Sequence, residues 1–566
     1  MIKNSIKKQV VPLLLCLLLF GSLACQQEDD PILIVDDNPF INSVSLTTQA
    51  AIDSFGQFNY TSISGSLLIG DWNPEVSQDI VDLSALSSLQ KVSRIQLYQA
   101  NALQSLNGLD NLSELQRIII YLMPSLKDLS ALSNIQTLES LILWNSDGPE
   151  NLNGLNGLTE LTSINITDMS SLTDLSALSG VSSIDNVQIN NTFRIKSLAG
   201  FNGLREANRI LLSNMDSLVD ISALSGLQKL NDFGLDGLDQ LKSLTGLENL
   251  KEPIPILQLS NCDQLEDISA LLPYTTHMDE LYLQHLPELE SLNGLERLQT
   301  VGTMRVQGLG VTGIEELSSL HTVNQWLAVD NNRNLRNLDG LEGLSTVNGA
   351  LTIGSNSALN NINALSGITR IGDRLAIEGN SLLGNISGLR NLTVVGGSLT
   401  LGNNNLSMTL TPLGKLRSIG GALILFNIFT IRNLSFLQSI ESVGRLQIWQ
   451  CPELQSLDGL DGLNQIDNLG LYSNPSLISI EALSSVTRIN GRLEISDNHA
   501  LQSLSGMENI NYVDNNMIIA SNQSLTDLCA LSQVLSAGGY IGEGAFINNN
   551  AYNPQKEDIL NGNCRQ

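Results

Sequence analysis

Histidine is scarce in this sequence, with only four among 566 residues. So few histidines leave little material for acid–base catalysis or for a metal site, because histidine is the commonest metal ligand in proteins. The patterns H-E-x-x-H, C-x-x-C and G-x-S-x-G are absent, and no glycine-rich phosphate loop follows a strand pattern. These absences argue against an enzyme, and we expect neither a cofactor nor a bound metal.

Basic residues are also few, 29 against 57 acidic ones, which gives a formal net charge of −28. Residues 1–24 hold three lysines and no acidic residue, so their removal changes the charge by three, to −31. Nucleic-acid binding depends on clustered lysine and arginine that neutralise phosphates. The charge balance therefore argues against a nucleic-acid partner.

Long apolar runs are confined to the N-terminus. Residues 1–8 are basic, and the eleven residues 10–20 are almost continuously apolar. A helix needs roughly 20 apolar residues to cross a bilayer, so this run is too short to do so. We interpret residues 1–24 as a signal peptide, and we expect no other segment to span a membrane.

Small residues lead into Cys25, and this order resembles a bacterial lipobox, in which the cysteine is lipidated and becomes the mature N-terminus. The competing Cys16 follows the bulky Leu15, which a peptidase that needs a small residue should reject. A plain secretory peptide cut near Ala24 is the alternative. The acidic residues just after Cys25 are similar to the export tag of Bacteroidota surface lipoproteins. The resemblance implies a lipid anchor at Cys25, an acidic flexible tether over residues 25–41, and display outside the outer membrane.

A repeat of 23 or 24 residues fills the rest of the chain. Counted from Leu67, there are twenty turns and a further short one at Ala545. Positions 0 and 2 of each turn are apolar, as on the inward side of a short strand, and apolar residues three apart then return over the core. One turn cannot bury such a core, but stacked turns can. We predict a right-handed parallel β solenoid over residues 67–531, with caps at 42–66 (a short helix ending at Gly56) and 532–566.

Position 5 is often asparagine, as at Asn332, Asn356 and Asn380, where a buried side chain can bond backbone groups that a corner leaves unpaired. Together with the leucine spacing, this resembles the leucine-rich-repeat pattern L-x-L-x-x-N. The next leucine comes three residues after the asparagine, which is similar to the receptor L-domain version of the fold. The resemblance covers about residues 60–550 and implies a solenoid that displays a binding surface.

Four cysteines follow the N-terminal segment. Cys262 and Cys451 occupy position 5, where cysteine replaces asparagine in repeats of this kind. They lie eight turns apart, about 38 Å at roughly 4.8 Å per strand, whereas the Cα atoms of a disulfide lie within about 7 Å. We therefore expect two buried free thiols. Cys529 and Cys564 flank the last irregular stretch and predict a disulfide that closes the C-terminal cap of an exported protein.

An aspartate column recurs in every second turn, just before an apolar residue. Two interpretations are open for it, a row of side chains that cap turns and a row of cation ligands. Its members are Asp82, Asp128, Asp174, Asp220 and Asp267.

Aromatic residues make up only 4% of the chain, yet they form two runs at position 3, which points outward from the sheet. We expect each run to be a ladder of rings about 5 Å apart on an exposed sheet. Rings beside polar groups suit sugar faces or protein hot spots, whereas the alternative is that the rings only stabilise neighbouring strands. The candidate ligand-binding residues are Tyr98, Tyr121 and Trp144 in the first run, Phe426, Trp449 and Tyr472 in the second, and the neighbouring Arg445 and Arg492.

These observations predict a lipid-anchored surface protein that binds an extracellular protein or glycan through its sheet. Contact with the membrane is expected only through the N-terminal lipid. The alternative is a structural spacer whose length, on the order of 100 Å from its strands, is its purpose.

Overall fold

The computed structural model describes residues 38–73, 79–271, 275–405 and 408–566. The predicted signal peptide, Cys25 and most of the predicted tether lie outside these ranges. Within them, no helix combines the length and the apolar character that crossing a membrane requires.

The described ranges contain one 26-stranded parallel sheet and one four-stranded sheet beside it. The strands of the large sheet are Pro39–Phe40 (β1), Val44–Leu46 (β2), Ser62–Gly70 (β3), Lys91–Tyr98 (β4), Glu114–Tyr121 (β5), Thr137–Trp144 (β6), Glu160–Thr167 (β7), Ser183–Asn190 (β8), Glu206–Ser213 (β9), Lys229–Asp236 (β10), Ile256–Ser260 (β11), His277–Leu286 (β12), Thr300–Leu309 (β13), Thr322–Asp330 (β14), Thr346–Val347 (β15), Ala350–Gly354 (β16), Arg370–Ile371 (β17), Leu375–Glu378 (β18), Val394–Val395 (β19), Leu399–Gly402 (β20), Ser418–Phe426 (β21), Ser442–Trp449 (β22), Asn468–Tyr472 (β24), Leu493–Ser496 (β26), Asn516–Ala520 (β28) and Gly544–Asn548 (β30). Those of the small sheet are Gln465–Ile466 (β23), Arg488–Ile489 (β25), Tyr512–Val513 (β27) and Tyr540–Ile541 (β29).

Each strand pairs with the strand one turn away, in the register that the repeat predicts. Ile118 lies opposite Leu141, and Leu141 lies opposite Ile164. The side chains of these position-0 residues are fully buried. The apolar columns are therefore continuous along the stack, and each turn covers the core of the turn before it.

Turns of 23 and 24 residues often differ at the start of the strand. In most 23-residue turns the strand is continuous, as over the eight residues of β4. In the 24-residue turn that holds β15 and β16, Asn348 and Gly349 separate the two strands. There the extra residue interrupts the strand and leaves a short separate pairing upstream of it, whereas β21 remains continuous in a 24-residue turn.

A left-handed residue ends the strand in most turns, at position 4. Its φ is 51° at Asn145, 52° at Asn191 and 57° at Asn331, a region that asparagine tolerates better than most residues. This corner turns the next residue inward, to the buried asparagine column at position 5. Asn380 shows the pattern: its Oδ1 accepts from the backbone N–H of Asn356 at 3.0 Å, and its Nδ2 donates to the carbonyl of Ile353 at 3.0 Å. The predicted role of the column is confirmed.

Short 3-10 helices cross the convex side, and the aspartate column caps them. The Ser176 backbone N–H donates to Asp174 Oδ1 at 2.8 Å, and the Ser176 hydroxyl donates to Oδ2 at 2.7 Å. At Asp82 the same contacts from Ser84 lower the pKa of the carboxyl. These bonds favour capping as the role of the column. The 3-10 helices are Ser84–Leu86, Ser130–Leu132, Ser176–Leu178, Ala199–Phe201, Ser222–Gly226, Ser269–Leu271, Glu315–Ser319, Asn363–Gly367, Ser387–Leu389, Thr411–Lys415, Ser435–Leu437, Glu481–Leu483 and Cys529–Leu531.

In alternate turns, glycine stands where the 3-10 helices of the other turns carry alanine. Gly154, for example, corresponds to Ala131 one turn earlier, and the reason is steric. Gly154 has a φ of +109°, and a Cβ there would lie 1.9 Å from the Leu129 carbonyl oxygen of the previous turn. The backbone of these turns therefore approaches its neighbour more closely than any side chain allows.

The N-terminal cap contains the predicted helix, α1 (Gln49–Gly56), which begins after the Thr48 cap and buries Ile52. The sheet starts earlier than predicted, because β2 already pairs with β3 at the register Val44↔Leu67.

The C-terminal cap holds α2 (Ser532–Leu535), α3 (Lys556–Leu560) and the predicted Cys529–Cys564 disulfide. Cys262 and Cys451 are buried free thiols, as predicted. The large sheet runs past the predicted boundary at 531, because β30 pairs with β28.

Candidate functional site

The outward face of the large sheet carries all four tryptophans of the chain. Trp144, Trp326 and Trp449 lie on strands of the sheet, and Trp72 follows β3 and packs on rings of that face. Each of the four rings is at least partly exposed. Tryptophan is enriched among the residues that contribute most to binding at protein interfaces, so this face is the candidate binding surface.

An N-terminal ring cluster is formed by Trp72, Tyr98, Tyr121 and Trp144. The centroids of Tyr98 and Tyr121 lie 6.1 Å apart, and those of Tyr121 and Trp144 lie 4.8 Å apart. Trp72 contacts Tyr98 at 4.2 Å and Tyr121 at 5.1 Å. The predicted three-ring ladder is therefore a four-ring cluster.

Trp72 changes which rings of the cluster are accessible. It is 50% exposed, whereas Tyr98 beneath it is only 6% exposed. The expectation that Tyr98 presents an open ring is wrong, because the tryptophan covers it. Burial also raises the pKa of Tyr98, an effect that the positive charge of Arg94 partly offsets. Trp72, Tyr121 and Trp144 are the rings that a ligand can reach.

Sequence reasoning missed Trp72, although a signal was present. One of only four tryptophans stands just before an insertion, at a position that is occupied by core residues in other turns. A large ring at the start of an insertion has freedom to fold back over the sheet.

The second aromatic run is a ring pair rather than a three-ring ladder. Phe426 and Trp449 stack with centroids 4.9 Å apart and an interplanar angle of 12°. Phe426 is 9% exposed, because its ring lies between Trp449 and the backbone of Gly402, where a Cβ would meet the ring at 2.4 Å. The expectation of an exposed Phe426 is therefore wrong, and Trp449 is the accessible ring of this C-terminal ring pair.

Tyr472 lies one strand further on and turns along its own strand. Its ring covers Gly470, where a Cβ would lie 2.4 Å from the phenol oxygen. Burial raises the pKa of Tyr472, and the nearby Glu494 carboxylate raises it further, whereas Arg492 lowers it. Arg492 is itself paired with Glu494. Tyr472 and Arg492 thus belong to a polar network that borders the ring pair.

Arginines lie four residues before a ring on three strands: Arg94 before Tyr98, Arg117 before Tyr121, and Arg445 before Trp449. Four residues of strand separate the two columns by about 13 Å at roughly 3.3 Å per residue. Arg445 is exposed and has no ion pair within the described residues. A ligand that covers Trp449 can therefore meet a free guanidinium across the sheet.

A central cluster, which sequence reasoning also missed, surrounds Arg305. Its guanidinium lies 5.5 Å from the centroid of the Trp326 ring, whose Nε1 donates to the Thr352 hydroxyl at 3.2 Å. Burial raises the pKa of Asp330, and Arg305 opposes that shift. The cluster is internally paired, so it offers a ligand fewer open groups than Trp449 with Arg445 does. Among the described residues, no group of three or more histidine, cysteine or acidic side chains could hold a metal ion.

The stacked parallel strands, the inward leucine columns and the asparagine corners define a leucine-rich-repeat solenoid. Residues 424–552 match the model of the BspA type leucine rich repeat region, in six copies. The same frame extends upstream to Leu67 in the sequence and in the strand register.

The chain is also similar to solved structures, at low sequence identity. A crystal structure of PEPR1-AtPEP1 is 14% identical and covers 90% of each chain, with a TM-score of 0.21. The leucine-rich-repeat ectodomain of the plant membrane receptor kinase GASSHO1/SCHENGEN3 from Arabidopsis thaliana, in complex with CASPARIAN STRIP INTEGRITY FACTOR 2, is 13% identical. The match covers 91% of this chain and 84% of the ectodomain chain, with a TM-score of 0.18. Among curated proteins nothing matches.

Proposed function

We propose that this protein is a surface-anchored lipoprotein that recognises an extracellular ligand, a protein or a glycan, through the outward face of its sheet. The observation that carries the proposal is the placement of the four tryptophans on that one face, in a chain with 4% aromatic residues. Leucine-rich-repeat solenoids are built to display such extended binding surfaces.

The accessible rings and the free arginine specify what a ligand needs. Trp72 and Trp144 offer ring faces at one end of the sheet, and Trp449 offers one at the other. Arg445 lies about 13 Å from Trp449 along the strand. A ligand that fits therefore has an apolar or sugar face for Trp449 and, at that distance from it, an acidic group for Arg445. A protein loop or an acidic glycan meets this requirement.

The lipid anchor is the second part of the proposal. It is supported by the residues around Cys25, which resemble a lipobox, and by the acidic residues that follow. The first described strand begins at Pro39, so roughly a dozen residues would separate a lipidated Cys25 from the solenoid.

The test is capture of ligands by residues 26–566 on protein and glycan arrays. The variants are Trp144→Ala and Trp449→Ala, and the control is Phe193→Ala, which removes a 46% exposed ring from outside both ring clusters. We expect at least one tryptophan variant to lose capture by 30-fold or more, because a ring under a ligand carries about 2 kcal/mol or more of binding. Melting temperatures should change little.

The spacer alternative gives a different result. One such result is that both tryptophan variants bind as the parent does, or that the parent itself captures nothing. If the melting temperatures of the two variants also fall sharply, then the rings only stabilise the stack. The buried positions of Tyr98 and Phe426 are what favours that alternative.

A further inference from the structure

The C-terminal end of the large sheet is open. In β28 the inward residues Met517 and Ile519 are fully buried. In β30, the next and last strand, the corresponding Ala545 is exposed and Ile547 is half-buried. The cap helix α3 and the disulfide cover the chain behind this strand but not its edge, so the end of the apolar core meets solvent here.

The backbone of β30 also has unused hydrogen-bonding groups. In this sheet the backbone groups of residues at even positions form hydrogen bonds with the following turn. The N–H of Leu351, at position 0, donates to the Arg374 carbonyl at 2.8 Å. Asn548, at an odd position of β30, accepts from Ser521 in the preceding turn at 3.1 Å. The N–H and C=O groups of Ala545 and Ile547 therefore point away from β28. Open edges of this kind are templates for another strand.

We propose that the occupant of this edge is a second copy of the same chain, paired antiparallel about a twofold axis through Phe546. Ala545 then lies opposite Ile547 of the other copy, and the two residues exchange both of their hydrogen bonds. The twofold axis repeats the pair, which gives four bonds in all. A small side chain meets a large one on the core side. On the outward side, the 49% exposed Phe546 ring meets its own copy.

Charge does not oppose this contact. The chain carries a net charge of −28, so two copies repel each other over most of their surface. Between Asp527 and Lys556, however, Glu543 is the single charged residue. In the proposed pairing Glu543 lies opposite Asn549, so no like charges are opposed.

The ends of the sheet differ, which selects a closed dimer over a filament. At the N-terminal end α1 covers the core, and Leu46 of the first turn is 3% exposed. The outward residue of β2 is Ser45, and the exposed Ile41 lies outside the strands. Pairing of like edges places Ala545 opposite Ile547 and covers both, and the twofold axis closes the assembly at two copies.

A five-residue strand pairing is smaller than the interface of a tight complex, so we expect a dissociation constant of about micromolar. It should fall as salt rises, because salt screens the repulsion between the two acidic chains. Sedimentation of residues 26–566 over a range of concentrations measures both effects. Ala545→Lys places a charge on the core side of the edge and is expected to abolish the dimer.

Cross-linking tests the proposed axis directly. Residues opposite each other without hydrogen bonds have Cα atoms about 4.5 Å apart, which suits a disulfide. Phe546→Cys should therefore oxidise to a covalent dimer, whereas Phe193→Cys, an exposed control elsewhere, should not. Far-ultraviolet circular dichroism checks that each variant is folded. A folded chain that stays monomeric at 100 micromolar, equal cross-linking of both variants, or a ladder of higher oligomers would each overturn the proposal.

Discussion

The buried asparagine column allows one stability effect to be worked out bond by bond. In Asn380→Leu, the N–H of Asn356 and the carbonyl of Ile353 lose their partners, and both residues are at most 1% exposed. Each buried unpaired group costs about 1–3 kcal/mol, and burial of the leucine returns up to about 2 kcal/mol. We expect a net loss of about 3 kcal/mol in the affected turns.

The native cysteines of the same column supply an intermediate substitution. Cys451 sulfur accepts from the backbone of Ile428, and its S–H donates to the Trp449 carbonyl at 3.6 Å. A thiol thus makes a weaker version of the first asparagine bond, but its S–H donates to a carbonyl of its own turn, so only one buried group is left without a partner. Asn380→Cys should therefore cost about 1 kcal/mol, roughly a third of the leucine effect.

Native-state hydrogen exchange of peptides from residues 351–404 is the appropriate assay, because stacked repeats need not unfold in one step. A loss of about 3 kcal/mol corresponds to roughly 100-fold faster exchange in Asn380→Leu. Ser381→Ala, at the exposed neighbouring position, serves as the control and should change little. Parental exchange rates in the leucine variant, or equal rates in the cysteine and leucine variants, would refute the assignment of these bonds.

Three further predictions concern other columns and the anchor. Gly154→Ala should destabilise its turn by more than about 2 kcal/mol, whereas Gly384→Ala, where nothing lies within 4 Å of the new Cβ, should not; equal melting temperatures would contradict this. Burial raises the pKa of the thiol to about 12 at Cys262 and to about 11 at Cys451, so both stay protonated at pH 8. Alkylation of the native chain should be slow there and speed up only on unfolding or near those pKa values; rapid labelling at pH 8 would place them on the surface. Cys25→Ala should lose incorporation of a fatty-acid probe, and unchanged labelling would favour a different acylation site.

The repeat frame, the buried columns and the disulfide could be predicted from the sequence because they depend on spacing. Once the turns stack, an apolar residue that recurs every 23 or 24 positions must point into the core. The same register places Asn380, at position 5, in the interior. Cys529 and Cys564 were predictable because few other cysteines were available. What spacing determines is the side of the sheet on which a residue lies.

The accessibility of the rings could not be predicted in the same way. Position 3 points outward at both Tyr98 and Trp144, but whether a neighbour covers the ring depends on side-chain torsions and on insertions. Trp72 reaches Tyr98 from outside the repeat frame, and Phe426 is covered because Gly402 leaves room for its ring. Similarly, the contact between Arg305 and Trp326 joins position 1 of one turn to the residue just before position 0 of the next, so no single column of the repeat contains it.

The pairing of each strand with its immediate successor also determines how the chain can fold. Ile118 and Leu141, which face each other, are 23 residues apart in a chain of 566, and the residues of the terminal disulfide are separated by only 35. Folding rates fall as contacting residues become more distant along the chain, since longer loops must close first. Among the described residues, no strand pair requires the closure of a loop much longer than one turn. Once one group of turns has formed, the next can add to it while the remainder of the chain is still emerging, and lengthening the solenoid would not increase the sequence distance of any contact.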